Sequence, residues 1–129
     1  MSENTVHAPH DHGGRGEEII RSMPGAAEIQ EISQVLRHLA DPSRLRIFWL
    51  LCHCEECVIN IAALTEMSSP AVSHHLRLLK SSGLIVARRA GKEMYYRAAD
   101  TEIVDALHHT FEEVARISCP TEDAHGRDL

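Results

Sequence analysis

Aromatic residues are scarce in this sequence of 129 residues: Phe48, Trp49, Tyr95, Tyr96 and Phe111 are all there are. The core must therefore be assembled from Leu, Ile, Val and Ala. Such a core is thin, and a second subunit would help to complete it. Long hydrophobic runs are missing too. The longest apolar stretch, around residues 47–52, is far too short to span a bilayer. The opening Met1-Ser2-Glu3-Asn4 lacks the basic region and apolar stretch of an export signal. A cytosolic protein with no membrane partner is expected. Its four cysteines should then be reduced, which favours metal ligation or thiol chemistry over a structural disulfide. No Gly-rich phosphate loop, Ser-His-Asp order or H-E-x-x-H motif occurs, so the reading is of a protein that is not an enzyme.

Positive charge is in deficit, with a formal net charge of −6. That balance disfavours a nucleic-acid partner until its distribution is considered. Residues 67–99 hold Arg77, Lys80, Arg88, Arg89, Lys92 and Arg97 against a single carboxylate, Glu93. The window carries +5 and the remainder −11, and one basic segment suffices to bind phosphate locally.

Residues 1–24 read as a disordered, His-containing tail, since His7-Ala8-Pro9-His10-Asp11-His12-Gly13-Gly14 is polar and aperiodic. Residues 25–119 read as one domain and 120–129 as a polar tail. A first helix is expected over 26–39 from the spacing of Ile29, Ile32, Val35, Leu36 and Leu39. Asp41-Pro42 supplies an N-cap and a first-turn proline for a second helix, ending near His53 or Cys54. A short helix follows over about 59–65. Ser68-Ser69-Pro70 repeats the cap-then-proline signal for a fourth, which Gly83 terminates. Strands over 84–89 and 93–98, joined by Ala90-Gly91-Lys92, read as a hairpin, and a last helix covers about 100–118. The fold class is mainly α (α+β): a winged helix-turn-helix with a two-stranded β-hairpin wing.

The helix after Ser68 carries the strongest signal. At helical spacing, Val72, Leu76 and Leu79 share the face that must meet the core. Ser73, Arg77 and Lys80 fall opposite, with His74 and Ser81 beside them, and no carboxylate is among them. Short residues near the N-terminus for base edges, and long cations beyond, are what a helix in the major groove requires. The expected DNA contacts are Ser68, Ser69, Ser73, His74, Arg77 and Lys80, with Arg88, Arg89 and Lys92 at the hairpin as a second contact point.

These residues carry a family resemblance. Residues 36–97 resemble the ArsR/SmtB family of metal-responsive repressors. The resemblance lies in Leu39-Ala40-Asp41-Pro42-Ser43-Arg44-Leu45-Arg46-Ile47 and Ser69-Pro70-Ala71-Val72-Ser73-His74-His75-Leu76-Arg77-Leu78-Leu79. It continues in Gly83-Leu84-Ile85 and Gly91-Lys92-Glu93-Met94-Tyr95-Tyr96. It implies a homodimer built on the first and last helices of the domain and a palindromic double-stranded DNA operator. The two recognition helices would lie about one DNA turn apart, roughly 34 Å.

Cys52, His53, Cys54 and Cys57 form a second constellation. Thiolates in this density suit Zn, Cd, Pb, Cu(I) or As(III) better than Mg or Ca. Cys52 also extends the apolar stripe of Leu45, Phe48 and Leu51, so it is either ligand or core. In the family's E-L-C-V-C-D-L motif, Cys57 takes the place of the first cysteine and Ile59 of the second. His7, His10 and His12 are possible additional donors. The family's other site, on the last helix, aligns with Asp100, Glu102, Glu113 and Arg116, where glutamates replace both histidines. His108 and His109, one turn before Glu112 and Glu113, could form a variant site with Cys119. Two other readings stay open. One is a thiol-redox or metal-independent winged-helix regulator. The other is a zinc-stabilised interaction module with no sequence-specific DNA binding.

Overall fold

In a computed structural model that describes residues 6–118, helix formation begins earlier than the composition suggests. Helix α1 covers Arg15–Ser22, inside the segment expected to be disordered. Gly14, with φ of 74°, allows the chain to turn into the helix. Glu17 and Glu18 in the first turn and Arg21 in the last then match the helix dipole. Helix α2 follows at Ala26–Leu39. The chain divides into two compact units, residues 1–34 and 35–129.

In the second unit, α3 is Pro42–Leu51, capped as expected: the Asp41 carboxylate accepts from the backbone N–H of Arg44 at 2.9 Å. Arg44 then stitches neighbouring elements together. It donates through Nη1 to the His38 carbonyl at 2.9 Å and through Nε to His75 Nδ1 at 3.3 Å. The Asp41 carboxyl titrates below its usual range, chiefly because of the bond from the Arg44 amide. Asp41→Ala is expected to cost about 1 kcal/mol, read by urea unfolding. Because the folded pKa is depressed, this contribution is complete above the ordinary carboxylate value of 3.8. It disappears as pH falls through the folded value. Asp41→Asn should therefore lose stability less steeply than the wild type as the solution is acidified below that value.

Strand β1 is Glu56–Cys57 and α4 is Val58–Thr65. The helix ends in a left-handed residue, Glu66 (φ 57°), whose N–H donates back to Ala63. The helix-turn-helix then enters α5, Ser69–Ser81, where the Ser68 hydroxyl accepts from the Ala71 N–H at 3.2 Å. Strands β2 (Ile85–Ala90) and β3 (Glu93–Ala98) pair antiparallel from Ile85↔Ala98 to Ala90↔Glu93. Gly91 makes the tight turn with φ of 65°, the left-handed conformation glycine adopts without strain. Helix α6 is Glu102–Ser118.

The expected β2–β3 hairpin wing forms, and a third short strand joins it. The sheet order is β1-β3-β2, with Glu56 opposite Tyr96 and Cys57 opposite Tyr95. A strand of two residues has no alternation to read, so only its distant partner makes it a strand. The core is aliphatic apart from Phe48. Ile47, Phe48 and Leu51 of α3 meet Ile61 of α4, Val72, Leu76 and Leu79 of α5, Leu84, Ile85, and Val104 of α6. Phe111 of α6 meets Phe48 edge-on, with ring centroids 6.1 Å apart. No described helix is long and apolar enough to cross a membrane.

Candidate nucleic-acid interface and metal-ligating residues

The face of α5 divides as its periodicity requires. Val72, Leu76 and Leu79 are at most 2% exposed. Ser68, Ser69, His74, Arg77 and Lys80 are exposed, and Ser73 is half-buried. His75 belongs to the scaffold: it is half-buried against Arg44 and Asp41, and desolvation lowers its pKa.

The six cations of the basic window fall into two sets. Arg88 donates two hydrogen bonds of 2.8 Å to the Glu55 carboxylate and lies 5.2 Å from the Tyr95 ring centre. Arg97 also approaches Glu55, at 4.0 Å. Glu55 thus holds two strand arginines against the sheet, and Arg88 in turn depresses the Glu55 pKa. Arg77, Lys80, Arg89 and Lys92 are exposed and make no ion pair among the described residues. These four are the cations available to an incoming polyanion. Arg88, expected among the contacts, is already engaged by a carboxylate 33 residues away in sequence.

The cysteines do not assemble. Among the described residues, no three sulfurs lie within 4.8 Å of one another. Cys52 is half-buried beside the core, and burial, followed by Glu112 and Asp105, pushes its thiol up to about 11. Cys54 is exposed, its thiol 3.6 Å from the Leu50 carbonyl, and burial and Glu56 raise its pKa. Both shifts oppose thiolate formation and count against a fast redox switch. Cys57 is buried and occupies the N-cap position of α4 without a side-chain cap bond. The sequence placed that helix start one residue later, at about residue 59. Within one chain these three side chains do not by themselves bring three sulfurs together among the described residues.

In the family's other alignment, Arg116 is bonded to Glu113. His109 approaches Glu113 at 3.9 Å on the exposed side of α6. His7 lies 3.6 Å from Glu17, and the rings of His10 and His12 are 6.1 Å apart, all within the N-terminal unit. Cys119 lies outside the described residues.

What does converge is His53, His108 and Glu112, the one group of three potential ligands among the described residues whose donor atoms all lie within 4.8 Å. Glu112 lies at i+4 from His108, a spacing visible in the sequence. The arrival of His53 from 55 residues away is not. Beside it, Cys52, Cys54, Asp100, Asp105 and His108 help line a cavity of about 320 Å³.

Residues 41–86 match the profile of the bacterial regulatory protein, arsR family. The chain is 41% identical over 78 residues to a transcriptional repressor SmtB homolog of Synechocystis, covering 60% of this chain and 59% of that one. It is 35% identical over 82 residues to the cadmium resistance transcriptional regulatory protein CadC homolog of Staphylococcus aureus, covering 63% and 68%. The chain thus spans about three fifths of the length of the first of these relatives. The fold is similar to a homodimeric winged helix-turn-helix DNA-binding domain from Mycobacterium bovis, described as a possible ArsR-family transcriptional regulator. The TM-score is 0.63 at 40% identity, covering 70% of this chain and 82% of that one.

Proposed function

The chain belongs to the arsR family of bacterial regulatory proteins, and on that premise we propose that it is a dimeric, cytoplasmic transcriptional repressor that releases its operator on binding a metal ion. The observation that carries this reading is the exposed, carboxylate-free face of α5, continued by Arg89 and Lys92 on the β2–β3 wing. α5 enters the major groove, Ser68, Ser69, Ser73 and His74 approach base edges, and Arg77 and Lys80 reach guanine or phosphate. The wing meets the flanking backbone.

The dimer reading rests on apolar side chains left in solvent. Ile29, Ile32 and Leu36 on α2, and Ile103, Val114 and Ile117 on α6, are all large, apolar and exposed. A second copy of the chain covers them, and a two-fold axis makes the operator palindromic. An effector of the Zn, Cd, Pb or As(III) class suits the family. The names of the relatives support repression, and one of them carries cadmium in its name. Coupling is reciprocal, so operator DNA should weaken metal affinity by the factor by which metal weakens DNA affinity.

Arg77→Ala tests the interface. The side chain is exposed and outside the core, so thermal stability should hold while operator affinity falls roughly ten- to hundredfold in a fluorescence-anisotropy titration. Unchanged affinity would show that α5 is not the reading helix. The same titration with Zn, Cd, Pb and As(III) tests the response, which an operator affinity indifferent to all four ions would remove.

A further inference from the structure

His53 follows the C-terminus of α3, whereas His108 and Glu112 lie one turn apart on α6. Their donor atoms nevertheless form a closed triangle. Nε2 of His53 is 2.9 Å from Nε2 of His108. Oε2 of Glu112 is 3.1 Å from His108 Nε2 and 3.7 Å from His53 Nε2. With metal–ligand bonds of about 2.0–2.1 Å, the edge of a coordination tetrahedron is ~3.3 Å. The three separations fall on either side of that value.

Hydrogen bonding alone does not satisfy this triangle. Each Nε2 carries at most one proton, and an ionised carboxylate only accepts. If His108 Nε2 is the donor, it serves His53 or Glu112 well but not both. If His53 Nε2 donates to His108, Glu112 faces a lone pair at 3.1 Å. If both nitrogens are protonated, two donors meet at 2.9 Å. A cation at the centre meets all three lone pairs together. The rings are also held in place: that of Trp49 lies 4.3 Å from that of His53, and His108 packs edge-on to His53 at 4.7 Å.

We propose that His53, His108 and Glu112 form a site within one chain for a borderline divalent cation of the zinc, cobalt or nickel class. Two imidazoles and a carboxylate suit such ions better than they suit Cd, Pb or As(III). The outer positions are left to water or to a further donor, because His53 and Glu112 are exposed. The ion ties the end of α3 to α6. Helix α3 packs against the recognition helix α5 through the common core, and Phe48 and Phe111 join it to α6. That any consequence reaches the operator rests on the repressor reading; the binding site itself does not.

The test uses the full, reduced chain and Co(II) without DNA. A single ion per chain should bind, with visible absorption bands of nitrogen–oxygen coordination and no near-ultraviolet sulfur-to-cobalt charge transfer. Trp49, the sole tryptophan, should be quenched to saturation at the same stoichiometry. His53→Ala and Glu112→Gln change exposed side chains and should leave the thermal melt in place. Each should weaken Co(II) by more than about tenfold, the loss that even an outer-sphere partner causes. Equal affinity in these two variants, a thiolate charge-transfer band, or no stoichiometric binding would overturn the site. Failure to bind operator DNA would instead overturn the repressor reading and leave the Co(II) result untouched.

Discussion

Operator affinity is expected to fall roughly a thousandfold or more when salt is raised from about 50 to about 200 mM. Each protomer presents four cations that make no ion pair among the described residues, Arg77, Lys80, Arg89 and Lys92. A two-fold dimer doubles that set. Every phosphate neutralised releases condensed counterions, and log affinity falls by about 0.9 per contact for each decade of salt. If Arg77 reads a base instead of a phosphate, the slope is reduced but remains steep. Anisotropy titrations across that range measure it directly. A loss of less than about tenfold would mean few phosphate contacts and would favour a module that docks on an acidic protein. The partition of the cations sharpens the expectation. Arg89→Gln should flatten the slope, whereas Arg88→Gln should change it less, because Glu55 already holds the Arg88 guanidinium.

Phe48→Ala should destabilise the fold by about 3–5 kcal/mol. Phe48 is completely buried and is the largest side chain in the core. It also links α3 to α6 through Phe111. With so few aromatics, nothing nearby can expand to refill the space, so most of the cavity should persist. In a domain of this size the loss is a large fraction of total stability, and urea unfolding would measure it. Trp49→Ala, at the next position but 45% exposed, should cost much less. Equal losses at the two positions would mean that burial does not set the energetics here. Phe48→Leu should recover much of the deficit, since it restores most of the apolar volume.

The sequence by itself determined the helices that carry the surface proposed to face DNA. Asp41-Pro42 and Ser68-Ser69-Pro70 start α3 and α5 where expected, and both caps form. Gly91 makes the hairpin turn, and the stripe of Val72, Leu76 and Leu79 fixes which side of α5 looks outward. These are local decisions, made by backbone conformation and by a period of 3.6 residues, so a short window contains all the information they need. Where the sequence held no sign of an element, local signals were weak or partners distant. Helix α1 rests on a charge pattern over eight residues, and β1 exists only because Tyr95 and Tyr96 lie opposite it.

The tertiary structure alone decided which charged and ligating groups are free and which are spent. Glu55 reaches across 33 residues to take Arg88, and His53 meets His108 across 55. Cys52, Cys54 and Cys57, close in sequence, are spread over the end of α3, a bend and the start of α4, and among the described residues their sulfurs form no group of three within 4.8 Å. Side-chain chemistry depends on distances of about 3 Å. Chain separation does not encode those distances once a turn lies between two residues, so the pairing of ligands and charges follows from how the helices pack.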